Sequence, residues 1–284
     1  MLRELLTGLG LSRYRFDDDE AIAAGLLSAD RHIADASVRA ILQIIEQAPD
    51  NSFLLHHLPH AKLLMNELAR RDVRVIALLR SPFDVIVSQA HHLLERPQPD
   101  PPADLSLHAM QHWICAGGDD GAPAAPLAKR NFSIMHGWVD DTRTLVLRFE
   151  EIIGPRGGGQ FSDQLASGLK LREFLGIEAD TAEVARALIA SFRSNIAIFR
   201  RGQIGSWKDE MAPNTAEQVR LGYGKMLEQW GYGPEGELLR PLKHPANMAE
   251  EMNHAIAALI DDNVHLRAKM RRLIADHAPE ANSG

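Results

Sequence analysis

The chain has 284 residues, 45% hydrophobic and 24% charged, so it is long enough to bury a sizeable core without disulfide or metal staples. A formal net charge of −7 argues against nonspecific nucleic-acid binding, and a single cysteine excludes an internal disulfide framework and predicts a cytoplasmic location. No apolar run approaches the roughly 20 residues needed to cross a bilayer. Because the net charge is negative, an anionic ligand must be held by a local cluster of basic residues.

The first eleven residues, MLRELLTGLGL, have a helical pattern. The leucines at 2, 5, 6 and 9 share one helical face, and Gly8 and Gly10 close the pattern. Residues 12–52 are interpreted as a charged surface segment followed by a helix with apolar periodicity over residues 38–45.

The segment SFLLHHLP, residues 52–59, predicts a short strand that leads to His56 and His57. Pro59 favours extended backbone in the residue before it, which places His57 near the carboxyl end of the strand. An imidazole with a pKa of about 6.5 can accept a proton near neutrality. A structural role is the alternative for any lone histidine, and it is the interpretation kept for His56 and His60.

The next apolar run, residues 73–79, is too short for a helix and rich in β-branched residues, which predicts a buried parallel strand. Residues 61–71 form the helix that precedes it, which gives a β-α-β unit. Arg80 follows the strand, Asp84 falls in the first turn of the next helix, and Ser88 follows one turn later. A guanidinium and a hydroxyl at this edge of a sheet suit phosphate oxygens.

Residues 93–137 contain two breaker-rich stretches around a predicted helix at 105–115, and they are either a lid over the substrate or a surface insertion. Residues 144–149 predict another strand. The glycine-rich stretch at 152–160 is interpreted as a flexible loop, because no lysine and Ser/Thr pair follows it as a Walker motif requires.

Two further helices are predicted at 161–175 and 181–192. Phe192 lies at the end of the second helix, where on sequence alone it would fill the core. The segment FRRGQIGSWK, residues 199–208, combines Arg200 and Arg201 with Gly202, a glycine that lets backbone approach an anion. A helix at 214–231 carries Leu221 and other apolar residues expected to close the core.

Residues 252–273 show the 4-3 apolar spacing of a heptad repeat, with Asn263 at an a position. The segment is either a dimerisation helix that forms a homodimer or a helix docked on the domain. The predicted organisation is one domain at 1–233, a linker at 234–246 and this C-terminal helix at 247–284.

Four of these segments together resemble the PAPS-dependent sulfotransferases (PAPS is 3′-phosphoadenosine 5′-phosphosulfate). Arg80 and Ser88 around SPFDVIVS resemble the family's 3′-phosphate motif, and HHLP resembles its T-H-L-P segment. Residues 149–151 resemble its Y-E-D motif, with Phe149 in place of the tyrosine. Residues 200–208 resemble its R-K-G-x-x-G-D-W-K signature. The resemblance implies a P-loop NTPase-like α/β fold, with a parallel sheet flanked by helices.

It also implies transfer of a sulfuryl group from PAPS to a hydroxyl or amine of a small-molecule or glycan acceptor, with PAP (adenosine 3′,5′-bisphosphate) as product. His57 would be the catalytic base. Arg80, Ser88, Arg200, Arg201 and Gly202 would bind the 3′-phosphate, and Phe192 the adenine. No metal site is predicted, since the histidines lack ligand spacing. Residues 93–137 would help to form the acceptor pocket.

The family's first strand and its phosphate loop, YPKSGTxxL, lead into a helix like residues 2–9, so the resemblance implies either that the true start lies upstream of residue 1 or that this strand and loop have been lost. A chain extended upstream by them is expected to be more stable, because an inner strand leaves unpaired backbone groups when absent. The rival hypotheses are a catalytically impaired PAP-binding or scaffold protein and a small-molecule kinase, which the absent Walker lysine disfavours.

Overall fold

The structure, a computed structural model, describes residues 1–14, 35–55, 58, 60–95, 105–116, 126–192, 201–239, 250–262 and 265. His56, His57 and Arg200 lie outside the described residues. The strands are β1 Ser12–Arg13, β2 Ser52–Phe53, β3 Val75–Leu79 and β4 Thr144–Arg148. The helices are α1 Leu2–Gly8, α2 Asp35–Gln47, α3 Lys62–Arg70, α4 Pro82–Glu95, α5 Leu107–Ala116, α6 Leu127–Asp140, α7 Phe149–Ile152, α8 Phe161–Leu175, α9 Thr181–Ser191, α10 Trp207–Glu210, α11 Pro213–Gln229 and α12 at 250–262, with a 3₁₀ turn at Pro155–Gly157.

The described strands form two parallel pairs, β1 with β2 and β3 with β4. The second pair is in register from Val75 opposite Thr144 to Leu79 opposite Arg148. These two strands confirm the predictions for the apolar runs at 73–79 and 144–149. Because the strands are parallel, Arg80 and Phe149, which follow them directly, leave the sheet at the same edge.

The first pair of strands departs from the predictions. Strand β2 ends at Phe53 rather than near the histidines. Strand β1, which pairs with it through Ser12 opposite Ser52, lies where a surface segment was expected. A two-residue polar strand carries no apolar run, so hydrophobic periodicity could not indicate it.

Helix α4 lies at the centre of the largest hydrophobic cluster. Phe83, Ile86, Val87 and Ala90 are fully buried there, and α5 packs against α4 through Met110 and Ile114, also buried. The region interpreted as either a lid or a surface insertion therefore supplies a core helix in its described part, and the insertion hypothesis is wrong for α5. Its role at an acceptor pocket stays a prediction.

Helix α1 uses the predicted leucine face. Leu5 and Leu6 are buried against α9, and a Cβ on Gly8 would lie 3.0 Å from the Cβ of Ala187. This close approach of the two helices explains why a glycine stands at the end of α1. Within the described ranges, every helix is too short or too polar to cross a bilayer.

Helix α12 lies against the same cluster as α1. Ala255 is completely buried, Met252 and Leu259 pack beside it, and Ile256 and Ile260 are 39% and 57% exposed. Part of the predicted heptad seam thus covers the domain itself. The homodimer through residues 252–273 and the division into domains stay predictions.

Two smaller expectations are wrong. The helix expected to close the core does so through Leu227 and Trp230, which are buried, but Leu221 on α11 is 79% exposed and takes no part in the core. The glycine-rich stretch at 152–160 is not a flexible loop: it contains the 3₁₀ turn, and Gly157 is buried.

Candidate active site

A buried carboxylate organises the residues that follow β3. Asp84, completely buried in the first turn of α4, accepts hydrogen bonds from the backbone N–H of Gly205 (2.8 Å) and of Trp207 (3.0 Å). It also accepts one from the Oγ of Ser206 at 3.2 Å. All these donors belong to residues 201–207, here called the clasp loop. Asp84 therefore fixes the clasp loop against the start of α4.

The clasp loop has a conformation that requires its glycines. Gly202 and Gly205 have φ angles of +59° and +72°, a region that side chains with a Cβ rarely occupy. The loop ends at Trp207, whose ring stacks on Phe83 with centroids 4.5 Å apart. The R-G-x-x-G-x-W pattern thus has a structural basis in each of its glycines and in its tryptophan.

Arg80 contacts the clasp loop from the end of β3. Its Nη2 donates to the carbonyl oxygen of Gln203 at 3.1 Å and lies 3.9 Å from the Oδ2 of Asp84. The guanidinium also stacks over the ring of Phe149, 4.4 Å from the centroid, and the side chain is 20% exposed. The structure therefore brings Arg80 to the loop that carries Arg201 and Gly202, as the sequence predicted.

Arg201 is joined to α4 through Glu210. Its Nη1 lies 3.2 Å from the Oε1 of Glu210, and the Nε2 of His91 lies 2.7 Å from the Oε2 of the same carboxylate. His91 is one turn beyond Ser88, which is half-buried on α4. Arg201 and Ser88 are thus both tied to α4, with Arg201 engaged by a carboxylate that sequence reasoning did not identify.

The loop at residues 154–159 supports the clasp loop from the other side. The Nε2 of Gln203 donates to the carbonyl oxygen of Arg156 at 2.9 Å, and the N–H of Ile204 donates to that of Gly157 at 3.0 Å. A Cβ on Gly157 would lie 2.6 Å from the carbonyl oxygen of Gly202. The two loops are therefore packed backbone against backbone.

Glu150 holds the turn on which Arg80 sits. One carboxylate oxygen accepts from the N–H of Ser81 and the other from the hydroxyl of Tyr232, both at 2.8 Å. Burial raises the pKa of Glu150, and the hydrogen bonds and nearby Arg80 only partly oppose that shift. Burial and the neighbouring Glu150 carboxylate raise the pKa of Tyr232 in turn. Glu150 and Tyr232 therefore form one hydrogen-bonded unit, and Glu150 joins it to the backbone of Ser81.

Phe192 follows α9, a helix with well-defined ends. Its N-terminus is a capping box, in which Asp180 accepts from the N–H of Glu183 at 2.7 Å and Glu183 accepts from that of Asp180 at 2.8 Å. The ring of Phe192 lies at the other end, half-buried, with the guanidinium of Arg156 5.8 Å from its centroid.

The residues that flank His57 are held by the end of α6. The indole N–H of Trp138 donates to the carbonyl oxygen of Leu58 at 2.7 Å, and the Nε2 of His60 lies 3.2 Å from the Oδ2 of Asp141. The Arg143 guanidinium holds the pKa of Asp141 well below its usual range, so this carboxylate stays charged beside His60. His60 is therefore held by Asp141, and the structural role of His60 and the catalytic role of His57 both stay predictions.

Comparison with known proteins shows which family the chain matches. The sulfotransferase domain family matches residues 36–231. Mouse sulfotransferase SULT7A1, solved in complex with PAP, is similar at 18% identity and a TM-score of 0.46, over 82% of this chain and 90% of that one. No curated protein matches the chain. The family match contains every residue that the sequence assigned to the site.

We expect replacement of Asp84 to disrupt the clasp loop. In Asp84→Ala the donors of residues 205–207 lose their buried acceptor, at about 1–3 kcal/mol for each unsatisfied donor, so the free energy of unfolding should fall by at least about 3 kcal/mol. Urea denaturation measures this change. Asp209→Ala, at an exposed position on α10, is the matched control and should change stability by less than about 0.5 kcal/mol. Equal stabilities of the two variants would contradict the anchoring role.

The raised pKa of Glu150 predicts a pH dependence. Its folded-state pKa lies above the unfolded value, so the folded state binds the proton more tightly and stability is lost as pH rises between the two values. Glu150→Gln keeps the shape and an acceptor oxygen but removes the titration. Relative to this variant, the wild-type chain should lose free energy of unfolding as pH rises from about 4 towards neutrality. A difference that stays constant with pH would show that Glu150 is not the titrating group.

Proposed function

Because the chain belongs to the sulfotransferase domain family, we propose that it transfers a sulfuryl group from PAPS to a hydroxyl or amine of an acceptor. The observation that carries the PAPS assignment is the arrangement of Arg80, Asp84 and the clasp loop. A buried carboxylate holds two left-handed glycines and a basic loop beside an arginine at the carboxyl edge of two parallel strands. Such an edge is where open α/β sheets bind ligands.

The residues present fit a 3′-phosphate. The Arg80 guanidinium is already oriented by Gln203 and Phe149 yet remains partly exposed, and arginine presents several N–H donors that match phosphate oxygens. Gly202 lacks a side chain that would keep an anion from the backbone. In a chain of net charge −7, this local concentration of basic residues selects an anionic ligand at one place.

PAPS supplies the activated sulfuryl group, and the chain supplies positioning and proton transfer. Arg80, Ser88, Arg200, Arg201 and Gly202 bind the 3′-phosphate and so fix the position of the donor. His57 accepts the proton of the acceptor hydroxyl or amine as that group attacks sulfur, and the bond between sulfur and the 5′-phosphate oxygen breaks, so that PAP leaves. Positioning of this kind can account for a large part of the rate enhancement.

We expect the chain to bind PAP much more tightly than 5′-AMP. Both nucleotides share the adenine and the 5′-phosphate, so the difference reports the 3′-phosphate alone. Arg80→Ala should weaken PAP binding about 10-fold or more and leave 5′-AMP binding unchanged, since a charge-assisted contact contributes about 1.5–3 kcal/mol. Isothermal titration calorimetry measures both affinities.

The control for this measurement is Arg70→Ala, which removes a guanidinium that is 76% exposed on α3. It should bind PAP like the wild-type chain. Equal affinities of the wild-type chain for PAP and 5′-AMP would sink the assignment of the donor.

The second expectation concerns the proton acceptor. His57→Ala should abolish PAP release from PAPS in the presence of a panel of phenols, sugars and amines, while the affinity for PAP changes less than about 2-fold, because the base acts on the acceptor and not on the 3′-phosphate. His56→Ala, one residue away, is the control and should retain turnover. Normal turnover by His57→Ala would assign His57 a structural role.

A further inference from the structure

Arg156 is presented to solvent by a backbone that the clasp loop holds in place. Its own carbonyl oxygen accepts from Gln203, and the carbonyl oxygen of Gly157 accepts from Ile204. Pro155 begins the 3₁₀ turn, and Gly158, with a φ of +87°, ends it. The side chain of Arg156 is exposed although its backbone is fixed at both neighbouring peptide units.

The guanidinium of Arg156 lies over an aromatic ring that the sequence assigned to adenine. The Cζ atom of Arg156 is 5.8 Å from the centroid of the Phe192 ring, within the roughly 6 Å over which a cation is attracted to a ring face. Among the described residues, no carboxylate forms an ion pair with Arg156. Its charge is thus oriented by the ring, and no described carboxylate neutralises it.

The position of Arg156 joins the two ends of the predicted nucleotide site. On one side is the ring of Phe192, and on the other the backbone of Gly157 abuts the carbonyl oxygen of Gly202. In a 3′-phosphorylated adenine nucleotide, the base and the 3′-phosphate are attached to the same ribose, at C1′ and C3′. The guanidinium of Arg156 thus lies at the predicted partner of the base, and its backbone lies at the predicted partner of the phosphate, so a phosphate on the same ribose as that base would lie within reach of the cation.

We propose that Arg156 is a further binding residue for the donor nucleotide and that its guanidinium contacts the 3′-phosphate of PAPS. The proposal rests on the proposed function, since it takes Phe192 and Gly202 as partners of the donor. It assigns a role to a glycine-rich loop that has no Walker sequence. The loop supplies a cation from a rigid turn instead of backbone N–H groups around a phosphate.

The experiment compares Arg156→Met with Arg156→Lys by calorimetry on PAP and 5′-AMP. Methionine keeps an apolar stem above Phe192 and removes the charge, so the affinity for PAP should fall about 10-fold while that for 5′-AMP is unchanged. Lysine keeps the charge without the planar guanidinium, so it should recover part of the loss. Arg186→Ala, which removes a 44% exposed guanidinium from α9, is the control and should bind PAP like the wild-type chain.

The outcomes separate this proposal from the proposed function. If the wild-type chain does not prefer PAP to 5′-AMP, the donor assignment fails first. If it prefers PAP and Arg80→Ala removes that preference while Arg156→Met retains it, the role of Arg156 is overturned alone. Equal losses of both nucleotides in Arg156→Met would likewise overturn the phosphate contact, because they would place the cation on the base. Thermal melts of the exposed-site variants should match the wild-type chain.

Discussion

The interaction on which the site depends is the set of hydrogen bonds that the buried Asp84 carboxylate accepts from residues 205–207. A carboxylate removed from water is costly unless its oxygens are satisfied, and here a single loop satisfies them. The same loop receives the contact from Arg80. The helix dipole at the start of α4 adds a further favourable term for an anion at this position. The clasp loop and the first turn of α4 therefore share one stable arrangement, in which a buried anion fixes a cationic surface.

The edge of the β3–β4 pair is braced from a second direction. Because β4 runs directly into α7, Glu150 arrives beside Ser81 and binds the peptide N–H that follows Arg80. The chain then continues into the loop at 154–159, which packs on the clasp loop. Of the two stretches that follow β4, α7 thus supports the residues after β3, and the loop at 154–159 supports the clasp loop. This is a direct consequence of parallel pairing, which brings both carboxyl ends to the same edge.

The sequence was informative where a function has a local pattern. An arginine after a short apolar run placed Arg80 correctly at the end of a strand, and the glycine spacing predicted the turn of the clasp loop. The supporting contacts join residues far apart in the chain, such as Ser81 with Glu150 and Asp84 with Trp207. For Asp84 the sequence predicted only that the helix dipole would stabilise its negative charge. Hydrophobic periodicity carries no information about which distant residues contact a side chain. For the same reason the packed 154–159 loop was interpreted as flexible: its glycines indicate freedom in isolation, and only the neighbouring backbone removes it.

The two described arginines of the predicted phosphate site differ in how they are prepared for a ligand. Arg80 is 20% exposed and held by a carbonyl oxygen, an aromatic ring and, at 3.9 Å, the buried carboxylate of Asp84, whose oxygens also accept hydrogen bonds from the clasp loop. Arg201 is 51% exposed and paired with Glu210, whose side chain is 10% exposed. A phosphate would find Arg80 in position but would have to compete with Glu210 for Arg201. Because less conformational freedom is lost when a group is already held, Arg80 is the residue from which binding should gain more.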